Sequence, residues 1–153
     1  MVLPTPLERR WQALRQLQAR VDDAVERALQ REHALSVSEY QALAALGYSD
    51  DGGHLRQQVL ADAIPLNHSS VSRLVARLER AGLTERYLCE ADRRGVYTQI
   101  TDHGRRLLER ARETCHQVLD TALRDAHQDE TLADLAAHVH PVAAARPGHR
   151  PGS

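Results

Sequence analysis

The sequence has no lysine and no phenylalanine. All 20 basic residues are arginine, set against 21 acidic residues, for a net charge of −1. That near-neutral total, taken alone, argues against a nucleic acid partner. The aromatics are Trp11 and four tyrosines, so a core has to be built from Leu, Ala and Val. The 21 leucines and 22 alanines make a helix-rich composition. Two cysteines, Cys89 and Cys115, are too few for a disulfide scaffold. No apolar run approaches the roughly 18 residues of a membrane span. The opening MVLPTPLERRW lacks the apolar stretch of a secretory signal. The expectation is a cytoplasmic protein of one domain, or of one domain with helical extensions, since the chain has 153 residues.

After Pro6, no Pro or Gly interrupts residues 5–33. Leu7, Trp11, Leu14, Leu17, Val21, Ala24, Val25 and Ala28 recur at spacings of three or four, which predicts one apolar stripe on a long helix. At about 40 Å it is too long for a helix tucked into a small domain, so it is expected to pack on a partner chain. A second helix follows, with Ser36 and Glu39 spaced for a capping box, Ser38 as a competing cap and Gly47 as the expected C-cap. SDDGG at 49–53 is a turn, and His54-Leu55-Arg56 is compatible with a small strand. QQVLADA at 57–63 reads as a short helix stopped by Ile64-Pro65. Asn67 is the N-cap of the next helix, whose buried stripe is Val71, Leu74, Val75 and Leu78, and which ends at Gly82.

From Leu83 the period changes. LTERYLC and VYTQIT, separated by EADRRG, predict a β-hairpin with a charged loop. Thr101 or Asp102 caps a helix of about seven turns, a shorter helix follows near 129–139, and 141–153 is expected to be a disordered tail. The fold class is therefore mainly α with a small β-hairpin wing: a winged helix-turn-helix between N- and C-terminal helices. The predicted organisation assigns 5–33 and 102–140 to a helical dimerisation region and 36–101 to a DNA-binding lobe.

A helix-turn-helix braces one short helix against a second, whose N-terminal half enters the major groove of double-stranded DNA. That half needs small polar side chains so that the backbone can approach the bases. Asn67, His68, Ser69, Ser70, Ser72 and Arg73 supply them, with Arg77 one turn further on. Asn can read adenine, Ser several bases, and Arg guanine. Arg80 lies late on the helix beside Glu79 and Glu85 and is read as a solvated surface residue. At the hairpin tip, Arg93 and Arg94 can reach a narrowed minor groove. Residues 54–100 hold seven arginines and five acids, so the neutral total conceals a mildly basic segment, and the placing of its arginines matters more than their sum.

The runs LSVSEYQALAAL, LNHSSVSRLVARLERAGLTER and DRRGVYTQITDHGRRLL resemble the MarR (multiple antibiotic resistance regulator) family of winged-helix repressors. The resemblance covers roughly residues 5–140 and is most specific over 66–108. It implies a homodimer built from the first helix and the last two, an operator with inverted repeats, recognition by the helix at 67–81 and minor-groove contact by Arg93 or Arg94. Asp92 then supports the wing. The resemblance also implies a small aromatic effector, for which Trp11, His33 and Tyr40 are the first candidates. Two features depart from the family pattern. Pro65 stands where the turn usually carries Gly, and Tyr87-Leu88-Cys89 replaces a more charged wing base.

Other chemistries have less behind them. Cys115 falls on the apolar stripe of the last long helix and is expected to be structural; Cys89 lies between Arg86 and Glu90 in sequence, and a thiol switch there is a weaker reading. Glu109, Glu113, His116 and Asp120 share a helix face that could offer metal ligands with His33 or Glu39, but a polar face needs no metal. No cofactor, metal site or catalytic motif is expected. The alternatives are a metal- or thiol-responsive DNA-binding sensor, and a helical dimer that binds a protein partner without DNA.

Overall fold

The computed structural model describes residues 1–88 and 95–141. Within them the elements run α1 (Pro6–His33), α2 (Val37–Gly47), β1 (His54–Arg56), α3 (Gln57–Ala63), α4 (His68–Arg80), β2 (Thr84–Leu88), β3 (Val96–Ile100), α5 (Asp102–Ala126) and α6 (Ala133–Val139). The expected tail from residue 142 onward, and Cys89, Asp92, Arg93 and Arg94 of the expected wing tip, lie outside the described residues. No helix among the described residues is long and apolar enough to cross a membrane.

The chain forms two compact units. One takes Met1–Asp23 and the chain from Leu119 onward; the other is Ala24–Val118, so the boundaries fall inside α1 and α5. In the first unit, α1 starts with a capping box: Thr5 Oγ1 accepts from the Glu8 amide at 3.2 Å, and Glu8 Oε2 accepts from the Thr5 amide at 2.6 Å. Pro6 sits at the first helical position, where its missing N–H costs nothing. Ala13 and Leu17 pack with Leu123, Ala126, Leu132 and Ala136. The apolar stripe read along α1 is only partly used. Ala13 is buried in place of Leu14, and Leu7, Trp11 and Leu14 stay 75%, 54% and 53% exposed.

In the second unit the capping choices are resolved. Ser36, not Ser38, caps α2, with both halves of the capping box formed. Thr101, not Asp102, caps α5 through a 3.0 Å bond from the Gly104 amide. Asn67 caps α4 by accepting from the Ser70 amide at 2.8 Å. Gly82 has φ +72°, and the bonds from its own N–H to Glu79 O and from the Leu83 N–H to Leu78 O close a Schellman motif. Gly47, expected as a C-cap, is instead the last residue of α2, with Tyr48 as the cap. A Cβ there would collide with Leu108, so the glycine makes room for α5 and does not terminate its own helix.

Ile64 is extended (φ −114°, ψ 128°), as its place before Pro65 requires, and this turns the chain sharply from α3 into α4. The three strands form an antiparallel sheet in the order β1-β3-β2, with Tyr87 opposite Tyr97 and Thr84 opposite Ile100. The short β1 that His54-Leu55-Arg56 allowed is present and pairs with β3.

Candidate nucleic-acid interface

Helix α4 buries Val71, Leu74, Val75 and Leu78. At 3.6 residues per turn the opposite face carries Ser69, Arg73, Ala76 and Arg80, spaced four, three and four apart. Ser69, Arg73 and Arg80 are exposed. Arg73 makes no hydrogen bond or ion pair with another described residue, so its guanidinium is available to an outside partner. His68 and Ser72 are also exposed, while Ser70 is half-buried. Asn67 is exposed, but its carbonyl oxygen is committed to the cap and also accepts from the Ser69 hydroxyl at 3.1 Å.

Polar ties reach α4 from three other elements. Arg77 Nε donates to Glu39 Oε1 of α2 at 3.2 Å. Gln57 of α3 donates to the Ser72 hydroxyl at 3.4 Å. Arg86 of β2 donates to Glu79 at 2.7 Å. Glu39 is only 17% exposed and serves twice, because its Oε2 also accepts the Ser36 amide that closes the α2 capping box. Arg77 therefore stands on the flank of α4, held by its Nε, and the sequence alone did not distinguish it from Arg73. Of the two acids expected near Arg80, Glu79 and Glu85, the first is paired with Arg86.

The apolar wing base has a structural account. Tyr87 and Tyr97 form a stacked cross-strand pair, ring centroids 5.7 Å apart and 22° between planes, and His54 of β1 meets both rings edge-on at 6.0 and 5.8 Å. The Arg56 guanidinium lies 5.9 Å from the Tyr97 ring. Aromatic packing across all three strands thus binds the sheet at the apolar wing base that the sequence showed.

The three effector candidates fall in different units, Trp11 in the first and His33 and Tyr40 in the second. Trp11 belongs to the first unit, where Arg15 lies over its ring. His33 lines a cavity of about 300 Å3 together with Leu35, Glu39, Arg77, His103 and Leu107; Tyr40 does not line it. The His33 side chain is 10% exposed and its Nε2 lies 2.8 Å from Thr114 Oγ1. That hydroxyl donates to Glu32 at 2.9 Å, so its single proton is spent and His33 Nε2 is the donor to it. The Thr114 hydroxyl, and then Arg31, hold the Glu32 carboxyl below its usual range.

Tyr40 instead meets Cys115 and Tyr48. Burial pushes the Tyr40 hydroxyl up to about 12, with Cys115 and Tyr48 adding to the rise. Burial also pushes the Cys115 thiol up, partly offset by its hydrogen bond with Tyr40. A buried thiol with a raised pKa is a poor nucleophile. Iodoacetamide at neutral pH should leave Cys115 unmodified in the native protein and label it after unfolding, as read by peptide mapping; rapid native labelling would reverse this assignment. Among the described residues no three His, Cys, Asp or Glu side chains converge as a metal site would need. Asp120, one of the ligand candidates, bonds His140 at 2.6 Å and Arg124 at 2.8 Å.

The family model of the MarR family matches residues 34–95, the segment that holds α2, α3, α4 and the first wing strands. The transcriptional regulator PecS of Dickeya dadantii is 33% identical over 98 residues, which is 62% of this chain and 59% of that relative's length. Among solved structures, the MarR family transcriptional regulator AbsC of Streptomyces coelicolor is 26% identical with a TM-score of 0.74, covering 92% of this chain and 95% of its own. Sco3205, a MarR family regulator of the same organism solved in complex with DNA, is 27% identical with a TM-score of 0.73, covering 91% of this chain and 89% of its own. With its capped α4 and its three-stranded wing sheet, the chain shares the winged helix-turn-helix fold of these MarR family regulators and matches the family model over residues 34–95.

Proposed function

We propose that this protein is a sequence-specific DNA-binding transcription regulator, acting as a homodimeric repressor of an inverted-repeat operator. The observation that carries this reading is the outward stripe of α4, on which Arg73 is exposed and free of any described partner. In this reading the first turns of α4 (Asn67, His68, Ser69, Ser70, Ser72 and Arg73) enter the major groove. Arg77 meets a phosphate with the nitrogens that Glu39 leaves free, and Arg93 and Arg94, supported by Asp92, reach the minor groove. Sco3205 in its DNA complex supports the use of this fold on duplex DNA.

The dimer is supported by Leu7, Trp11 and Leu14, one per turn along α1, which stay more than half exposed. A small aromatic effector would release DNA only by binding two conformations unequally, with His33, Trp11 and Tyr40 as its candidate contacts. The test is a mobility-shift titration on the DNA upstream of the protein's own coding sequence, with sedimentation of the free protein. Salt-sensitive, sequence-selective binding by a dimer is expected. Binding that ignores sequence, or a protein that stays monomeric when bound, would contradict the proposal.

A further inference from the structure

We infer that Arg80 is a further DNA-contacting residue, one that grips a backbone phosphate at the edge of the groove that α4 enters. The inference rests on the DNA-binding reading above and adds a contact that the sequence argued against. Three observations carry it. Arg80 lies on the same outward line as Ser69 and Arg73, directly opposite the buried stripe of α4. The only residue between Arg73 and Arg80 on that line is Ala76, too small to hold a duplex away from either arginine. Of the two acids near it in sequence, Glu79 receives Arg86 at 2.7 Å, and Arg80 makes no hydrogen bond or ion pair with Glu85 or any other described residue.

Helical rise then decides what Arg80 can touch. Seven residues separate it from Arg73, or about 10 Å along the axis. The major groove is about 12 Å wide. With Arg73 at the base edges, Arg80 is displaced toward the groove wall, where phosphates and not base edges are presented. A phosphate contact by an arginine is sequence-independent and releases a counterion. The Schellman turn at Gly82 fixes the point where α4 stops, and Thr101 Oγ1 braces that turn by donating to Gly82 O at 2.7 Å. Arg80 is thus presented from a braced helix end.

The test compares parent, Arg80→Ala, Arg80→Lys, Arg73→Ala and Arg31→Ala by fluorescence anisotropy, on a random-sequence duplex and on the protein's own upstream DNA, between about 50 and 200 mM salt. Arg31 pairs with Glu32 on α1, so its removal costs the same charge away from α4. Arg80→Ala should weaken both duplexes about equally, by roughly fivefold, and make the salt slope shallower by about 0.9. Arg80→Lys should keep the parental slope, because a phosphate accepts a point charge. An unchanged slope in Arg80→Ala, or an equal loss in Arg31→Ala, overturns the assignment. If Arg73→Ala weakens binding while Arg80→Ala does not, only Arg80 falls. If the parent shows no salt-dependent binding to either duplex, the DNA-binding reading itself has failed and takes this one with it.

Discussion

Arg73→Ala should weaken binding to the preferred sequence by about 1–3 kcal/mol, roughly five- to 150-fold, and relax the choice of base at one position. The size follows from geometry. Arg73 is exposed on the outward line of α4, has no described partner to give up, and its planar fork can donate two parallel bonds to a guanine. An alanine there removes both bonds and changes nothing inside the protein, because the neighbouring Leu74 and Val75 remain buried. The readout is the ratio of affinities for the preferred and single-substituted duplexes. If that ratio is the same in parent and variant, Arg73 does not read a base. The contrast with Arg77 is part of the expectation. Losing Arg77 also strips Glu39 of its ion pair, so part of its effect should appear as lost stability in the free protein, which Arg73→Ala should not show.

Gly104→Ala should destabilise the protein even though alanine is ordinarily the better helix former by about 1 kcal/mol. Gly104 lies in the first turn of α5, and a Cβ there would collide with the Leu83 carbonyl oxygen and come within 2.8 Å of Ile100 Cγ1. A backbone carbonyl cannot rotate aside as a side chain can, so α5 has to shift away from the turn that ends α4. Overpacking of this kind costs about 1–3 kcal/mol, enough to reverse the propensity gain. Because Thr101 and Leu83 join the same corner through the 3.0 Å bond from the Thr101 amide to Leu83 O, the shift should also loosen the C-terminal end of α4. Thermal unfolding measures the effect; a Tm equal to or above the parental value would show that the corner yields. Gly82→Ala is the useful comparison. It meets nothing within 4 Å, but its φ of +72° alone should cost about 1–2 kcal/mol.

Much of the lobe is legible in the sequence because its signals are local. A serine and a glutamate three residues apart, an asparagine before an apolar stripe, and a glycine followed by leucine each determine one turn of backbone within a few residues. The structure bears these out at Ser36, Asn67 and Gly82. The hairpin strands are legible for the same reason, since alternation and β-branching act on immediate neighbours, whereas His54-Leu55-Arg56 is too short for the sequence to decide. Where local signals tie, the sequence leaves the choice open, as between Thr101 and Asp102 at the start of α5.

The pairings that tertiary structure decided are those that cross long stretches of chain. Arg73, Arg77 and Arg80 are three arginines at helical spacing, and the local signal, the acids Glu79 and Glu85 near Arg80, sets Arg80 apart as a solvated residue. The structure ties Arg77 instead, through Glu39, whose carboxylate arrives from α2, while Arg86 takes Glu79 and Arg80 has no partner among the described residues. The role of Gly47 was hidden for the same reason, since the neighbour that a side chain there would crowd is Leu108. On α1, periodicity could not say where burial stops, because only the packed partners Leu123, Ala126 and Leu132 select Ala13 over Leu14. The sequence by itself determined the helices, the Asn67 and Gly82 caps of α4 and the hairpin strands, because each depends on backbone preferences over a few residues. Which arginine on that helix is tethered, and which have no partner among the described residues, was decided only by the tertiary structure, because an ion pair depends on charges that folding brings within a few ångströms from distant parts of the chain.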